Sequence, residues 1–284
     1  MFALLLAGGL RTFLITWPLT RESVVDVNGG RNNFWIGISA PFSGEQRELA
    51  VAARELCVRE RFDFCDIRLE NVSSTREFYK GTPRWPANFW GPGAQQKPFA
   101  LQWESVTRVF QELESSAVAP ELVLRTRPDV ALFRPVHLAK LLSEMRNQST
   151  NVSIPCTFGK DRVIDDFIVA TPVAMRAYAA RLTGPVGGGC ESHVGAVLGG
   201  NFIINRVQHA ILDFPYVDNY VQRAEYKTVK HHNRCLNTKP ARKGRDVAAF
   251  NSTDYDIVRR YVSEQINTTH RENDLTTTNR LNIV

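Results

Sequence analysis

A short polar segment, RTRPDV at residues 125–130, carries side chains that bind phosphate and metal ions. In an extended chain Arg125 and Arg127 point to the same side. Pro128 ends the predicted strand, so Asp129 lies just beyond its carboxyl end. Two guanidinium groups can grip a diphosphate while a carboxylate holds Mg²⁺ or Mn²⁺, which needs few protein ligands when phosphates complete its shell. The alternative is a turn in which Asp129 caps backbone amides and the arginines form ion pairs.

A second acidic position precedes the apolar segment FIVAT at residues 167–171. Asp165 and Asp166 are adjacent, and neighbours on a strand face opposite ways, so only one of them is expected to serve a site. Two carboxylates next to an apolar strand are costly unless one is solvated and the other has a cation or a donor as its partner. Asp166 is therefore included among the candidate catalytic residues.

A third candidate position follows three consecutive glycines in the segment GPVGGGCESH, where Glu191 and His193 stand at the predicted start of a helix. Glycines let the backbone approach a ligand closely, and a helix start favours anions. A carboxylate or an imidazole at this place can deprotonate an acceptor hydroxyl. A flexible turn in which Glu191 interacts with the helix dipole is the alternative.

Apolar segments of strand and helix type alternate along the first 180 residues and predict the elements that position these groups. Such alternation with short connections is typical of an α/β fold with a mainly parallel central sheet and helices on both faces, where ligands bind beyond the carboxyl ends of the strands. The predicted strands are FALLLA, FWIGIS, DIRLEN, ELVLR and FIVAT. The predicted helices begin after the capping box Ser43 to Gln46, around Val106 to Leu113, around Leu138 to Met145 and at Thr171-Pro172.

The domain organisation follows from this pattern. We predict one domain over residues 1–264, with a nucleotide half at about 1–130 and an acceptor half at about 131–264, and a polar tail at 265–284. The segment at residues 81–98 interrupts the alternation and predicts a functional loop or an ordered flap. In it, Trp85 and Trp90 either cover apolar surface or stack on a base or a sugar.

Composition limits the classes of partner. The formal charge is +6, and a segment at residues 227–245 holds seven Lys or Arg and no acid. Such a segment suits phosphates or acidic glycans, but a solvated basic loop without a partner is the preferred interpretation. Since aromatic interleaving and nucleic-acid motifs are missing there, no nucleic acid is expected as a partner. None of the five cysteines forms a CxxC pair, so a zinc cluster is not predicted, and the odd count argues against a complete disulfide framework.

The compartment is left open between two alternatives. Five Asn-x-Ser/Thr sequons, at Asn71, Asn147, Asn151, Asn251 and Asn267, lean toward a glycoprotein of the secretory lumen. The opening apolar segment is too short for an export signal and has no basic leader, and no segment is long enough to cross a bilayer. A lumenal protein would therefore have its anchor outside this chain, and otherwise a cytoplasmic location is expected.

Five ordered segments, AGGLRTF, QWESVTRVFQELE, LVLRTRPDV, DDFIVATPVAMRAYAARL and CESHVGAVL, together resemble a group of poorly characterised GT-A-like glycosyltransferases over about residues 2–200. Members of that group carry R-x-R-P-D where better-known relatives carry D-x-D. The resemblance implies a Rossmann-like nucleotide-sugar domain that transfers a sugar to a hydroxyl acceptor on a glycan or glycoprotein. It places Gly8, Gly9 and Arg11 near the nucleotide, gives Asp129 the metal and diphosphate role, and turns Glu191 toward the acceptor.

Two other functions are weighed against this one. The start LLLAGGLRTFLITWPLT is similar to that of sugar-1-phosphate nucleotidyltransferases, but the later glycine and the lysine that would meet a triphosphate are absent. A non-catalytic carbohydrate- or partner-binding module on the same fold would keep the tryptophan loop and the basic segment without binding metal. Nucleotide and metal binding separate these hypotheses.

Overall fold

The computed structural model describes residues 1–10, 13–71, 73, 75, 77, 97–132, 135–154, 157–158, 162–163, 167–180, 204–206 and 211–213. The predicted residues Arg11, Asp166, Glu191 and His193 lie outside this part of the chain, as do Asp165, Trp85 and Trp90. The basic segment at 227–245 and the polar tail also lie outside it.

A seven-stranded sheet forms the centre of the described structure. Its strands are β1 (Phe2–Ala7), β2 (Phe34–Phe42), β3 (Phe64–Leu69), β4 (Leu122–Thr126), β6 (Val152–Ile154), β9 (Phe167–Ala170) and β10 (Ile204–Arg206), in the spatial order β10-β6-β9-β4-β1-β2-β3. Strand β1 lies parallel to both β2 and β4, and β3 continues the parallel set beyond β2. Strand β9 is antiparallel to both β4 and β6, so the predicted sheet is confirmed as mainly parallel, with one reversed strand.

Two short antiparallel pairs accompany this sheet. Strand β5 (Val130–Leu132) pairs with β11 (Ile211–Asp213), and β7 (Thr157–Phe158) pairs with β8 (Arg162–Val163). The first pair begins directly after Asp129, so the RTRPD segment passes from the central sheet into a second strand within four residues.

Helices cover both faces of the sheet, as the α/β prediction requires. The helices are α1 (Phe13–Thr20), α2 (Arg47–Arg59), α3 (Lys97–Ser115), α4 (Leu138–Asn147) and α5 (Pro172–Ala179). Because strand side chains alternate, Leu4 and Leu6 join the core formed with α1, α2 and α4, whereas Leu5 joins the core formed with α3 and α5. Each residue of β1 is buried, which is expected of a central parallel strand covered on both sides.

Local sequence signals placed several helix ends correctly. At the predicted capping box, the Ser43 backbone N–H donates to Gln46 Oε1 at 3.2 Å, and α2 follows at Arg47. The Thr171 side chain accepts from the Ala174 backbone N–H at 3.4 Å, with Pro172 as the first residue of α5. The buried face of α2 includes Ala50, which is fully buried in the core, whereas Ala52 is only partly buried.

A helix must be both long and apolar to cross a bilayer. Within the described ranges, none of them is both long and apolar enough to cross a membrane.

Candidate functional site

The turn after β1 and the segment after β4 meet at the carboxyl end of the parallel strands. Gly8 has φ of +139°, a conformation that side chains with a Cβ rarely adopt. A Cβ at Gly8 would lie 3.4 Å from Arg127 Cγ and 3.6 Å from Pro128 Cδ. The positive φ therefore explains the glycine at this turn, and the structure places Gly8 beside Arg127 and Pro128 of the RTRPD segment. Gly9 follows it in the same turn.

Helix α1 holds this segment from the other side. The hydroxyl of Thr16, which is 1% exposed, donates a hydrogen bond to the carbonyl oxygen of Pro128. The Val130 backbone N–H donates to the Arg127 carbonyl at 3.2 Å and closes the turn around Asp129. The sequence analysis did not single out Thr16, because a hydroxyl in an apolar helix gives no signal of a contact 112 residues away.

Arg127 and Asp129 form a bidentate ion pair. Arg127 Nε donates to Asp129 Oδ1 at 2.8 Å, and Arg127 Nη2 donates to Asp129 Oδ2 at 2.7 Å. The Asp129 side chain is 1% exposed and that of Arg127 is 11% exposed, so the pair is shielded from water. This parallel fork geometry fixes the guanidinium plane and neutralises both charges.

Arg125 is buried without a counter-charge among the described residues. Its register places it beside Leu5 of β1 and Ile168 of β9, on the face of the sheet that α3 and α5 cover. The residue is 0% exposed, its Nη2 donates to the Ala7 carbonyl at 3.1 Å, and its guanidinium carbon lies 6.0 Å from the Tyr178 ring centroid.

Two donors of Arg125 are left over. Within the described part of the chain, Nε and Nη1 are buried and have no hydrogen-bond partner. A charge removed from water is expensive unless it is paired and hydrogen-bonded. A carbonyl and an aromatic face offset only part of this cost, so the arrangement favours an anion beside Arg125.

A second buried ionic cluster lies on the same face of the sheet and was missed from the sequence. Glu104 of α3 is 0% exposed and accepts from Arg108 Nε at 2.8 Å and from Thr75 Oγ1 at 2.7 Å. Arg68 Nε lies 3.6 Å from Glu104 Oε1, and Arg68 Nη1 donates to Asp66 Oδ2 at 2.7 Å. The carboxylates and arginines of this cluster neutralise one another.

The Glu104 cluster had one readable signal. Glu104 and Arg108 are four residues apart on α3, at a spacing that forms ion pairs on a helix. On a helix both residues lie opposite the apolar positions Val106, Val109 and Phe110, so the sequence predicts an ion pair but not the burial of Glu104.

The metal prediction has a direct geometric test at Asp129. Both of its carboxylate oxygens accept from Arg127, so Arg127 already neutralises the charge that a cation would meet at Asp129. Among the described residues, no group of three or more His, Cys, Asp or Glu side chains could hold a metal ion. The described residues as arranged therefore do not fit a metal centre, and Mn²⁺ or Mg²⁺ at Asp129 stays a prediction.

Comparison with known proteins gives matches in structure only. The sequence matches no family model and no curated protein sequence. Apo mouse xyloside xylosyltransferase 1 is 11% identical, with 72% of this chain and 84% of that chain covered and a TM-score of 0.36. HddC from Yersinia pseudotuberculosis is 9% identical, with 78% and 96% covered and a TM-score of 0.37. The 4-diphosphocytidyl-2C-methyl-D-erythritol synthase from Anaerococcus prevotii is 12% identical, with 74% and 86% covered and a TM-score of 0.33. At these values the likeness assigns no activity to this chain.

Proposed function

We propose that this protein is a glycosyltransferase that moves a sugar from a nucleotide-sugar donor to a hydroxyl acceptor on a glycan or glycoprotein. The observation that carries the proposal is Arg125, a fully buried cation at the carboxyl end of the parallel strands, two of whose N–H donors are unused by the described residues. This end is where α/β sheets bind ligands. The order of the motifs along the chain, from AGGLRTF to CESHVGAVL, supports a nucleotide-sugar donor.

The local charges suit a diphosphate. Arg127 and Asp129 cancel each other, which leaves the positive charge of Arg125 beside the Gly8 turn. A diphosphate would accept from the remaining N–H groups of Arg125.

Sugar transfer breaks the bond between the anomeric carbon and the diphosphate oxygen and forms a bond to the acceptor oxygen. Negative charge then develops on the departing diphosphate, where preorganised guanidinium groups lower the barrier. In an inverting reaction Glu191 or His193 would take the acceptor proton, with Asp166 as a further candidate base. These three assignments rest on sequence alone.

The test is a nucleotide-sugar panel in which release of nucleoside diphosphate is measured with and without Mn²⁺. We expect one donor to be hydrolysed or transferred by the wild-type chain, and Arg125→Met to abolish that release. The matched control is Arg146→Met, because the Arg146 side chain is 67% exposed and pairs with Glu121. Glu121 directly precedes β4, so this pair lies at the amino end of that strand and Arg125 lies toward its carboxyl end. The activity of Arg146→Met should equal that of the wild type.

Other outcomes favour the other functions. Release of pyrophosphate from a nucleoside triphosphate and a sugar phosphate would make the chain a nucleotidyltransferase. Failure of every nucleotide to bind in calorimetry, with and without metal, would refute the transferase proposal and leave a carbohydrate- or partner-binding module.

A further inference from the structure

Cys57 and Cys65 face each other across the contact between α2 and β3. Helix α2 connects two parallel strands, β2 and β3, so it runs antiparallel to both. The Arg54 guanidinium donates to the carbonyl oxygen of Ile67, which fixes the relative height of helix and strand. Cys57 follows Arg54 by three residues on α2, and Cys65 precedes Ile67 by two residues on β3. These steps of about 4.5 Å and 6.6 Å bring the two cysteines to a similar height.

Side-chain direction supports the same pairing. Ile67 belongs to the core that contains Cys57, and Cys65 shares its face of β3 because it is two residues away. The Phe62 backbone N–H donates to the Cys57 carbonyl at 2.9 Å, so the connection turns sharply into β3. Both cysteines are free thiols; Cys57 is buried and Cys65 is exposed.

The two thiols also differ in acidity. A hydrogen bond from Cys57 lowers the pKa of Cys65 below the ordinary thiol value, with a further contribution from the charge of Arg54 and against the effect of burial. The hydrogen bond to Cys65, followed by burial, raises the pKa of Cys57 far above that value. Above the lowered pKa of Cys65, the pair therefore holds one proton, which stays on the buried Cys57, and the exposed Cys65 is the thiolate.

We propose that Cys57 and Cys65 are a reversible thiol–disulfide modification site that reacts with small-molecule disulfides such as oxidised glutathione. The site is independent of the proposed transferase activity, since neither cysteine belongs to the Arg125 site.

The reaction proceeds in two balanced steps. The Cys65 thiolate attacks one sulfur of oxidised glutathione, which forms a mixed disulfide on Cys65 and releases one glutathione thiolate. Cys57 then attacks the Cys65 sulfur, its proton goes to the second departing glutathione, and the Cys57–Cys65 bond closes. Two protein thiols lose two electrons, and one glutathione disulfide becomes two thiols.

This bond would tie the end of α2 to the edge strand of the sheet. Strand β3 is the last strand in the sheet order on its side, so it has a paired neighbour only in β2 among the described strands. Closing a loop of about nine residues restricts the unfolded chain and is expected to raise the Tm by about 5 °C.

The test uses the full chain with Cys156, Cys190 and Cys235 replaced by serine, equilibrated in buffers of graded oxidised and reduced glutathione. Trypsin cuts after Arg59 and Arg61, so an internal disulfide links the peptides Glu55–Arg59 and Phe62–Arg68, and mass spectrometry detects them as one species. We expect this species under oxidising ratios, its loss on reduction, and a higher Tm for the oxidised chain.

Single variants separate the two steps. Cys57→Ala should stop at the mixed disulfide, with one glutathione on Cys65, whereas Cys65→Ala should leave Cys57 unmodified because it is buried. Alanine is used because it is small and apolar enough for the core around Cys57. Absence of the linked peptides at every glutathione ratio, or equal modification of the two single variants, overturns the proposal.

Discussion

Arg125 Nη2 donates to the Ala7 carbonyl oxygen at 3.1 Å and thereby joins the carboxyl ends of β4 and β1. The two strands are already paired in register up to Leu6 and Thr126, so this contact adds a side-chain bond just beyond the last backbone pair. This bond engages Nη2 of the buried Arg125 guanidinium. Nε and Nη1 have no hydrogen-bond partner among the described residues and are the donors that we assign to a ligand. A residue needed only for packing would have no reason to carry this charge.

Replacing Arg125 by methionine should separate stability from binding. Removing an uncompensated buried charge in favour of an apolar side chain is expected to leave the free energy of unfolding unchanged or to raise it by about 1 kcal/mol. The same change should weaken nucleoside diphosphate binding at least tenfold, a loss of about 1.4 kcal/mol. Urea unfolding and calorimetry measure the two quantities. Marked destabilisation with unchanged binding would make Arg125 a structural residue.

Gly8→Ala is expected to cost about 1 to 3 kcal/mol of stability, because φ of +139° strains an alanine, whose Cβ would lie 3.4 Å from Arg127 Cγ. Gly30→Ala is the matched control for strain, since Gly30 has φ of +80° with nothing within 4 Å of an added Cβ. Both variants should lose stability in chemical denaturation. Only Gly8→Ala should also weaken nucleotide binding, and equal binding by both would separate Gly8 from the site.

Arg127 and Asp129 should behave as one unit in a double-mutant cycle. Arg127→Ala removes the bidentate counter-charge of a buried carboxylate and is expected to cost about 3 kcal/mol, whereas the double variant Arg127→Ala with Asp129→Ala should cost less than the sum of the two single changes. The cycle is measured by urea unfolding. Additive losses would show that the pair contributes no coupling energy.

The same pair decides the metal question. If Asp129 binds Mn²⁺ with the nucleotide, wild-type affinity for a nucleoside diphosphate rises on adding Mn²⁺ and Asp129→Asn removes that increment. Calorimetry with and without EDTA measures it. An affinity that is equal in both conditions would show that the Arg127–Asp129 pair acts without metal.

Patterns within a few residues predicted much of this structure. The capping box at Ser43, the Thr171-Pro172 helix start and the apolar segment of β1 depend on neighbouring residues, and the structure confirms all three. The reversed direction of β9 depends on pairing with β4 and β6, which no local pattern records. At the site, the residue types of Arg125, Arg127 and Asp129 identified them from the sequence as candidate ligand-binding residues. Their division into a neutral pair and a separate buried cation was not recognisable, because it depends on Ala7 and Tyr178.

Glu104→Gln should be strongly destabilising, by about 3 kcal/mol, because it leaves Arg68 and Arg108 beside a neutral side chain in a buried cluster. Glu112→Gln on the same helix is the matched control, since Glu112 is exposed and should change stability by less than about 0.5 kcal/mol. Equal midpoints of urea unfolding for the two variants would contradict the assigned role of the Glu104 cluster.

The opposite pKa shifts of Cys57 and Cys65 predict that the contribution of this pair to the free energy of unfolding passes through a maximum as the pH rises. Between the lowered pKa of Cys65 and the ordinary thiol value of 9.0, the unfolded chain keeps both protons while the folded pair holds one, so raising the pH stabilises the fold. Above that value the unfolded thiols lose both protons while Cys57 keeps its own, so further increase destabilises it. The difference in unfolding free energy between the reduced wild type and Cys57→Ala with Cys65→Ala should therefore peak near pH 9, as measured by urea unfolding from about pH 6 to 10.5. A difference that does not change with pH would mean that the two thiols do not share a proton.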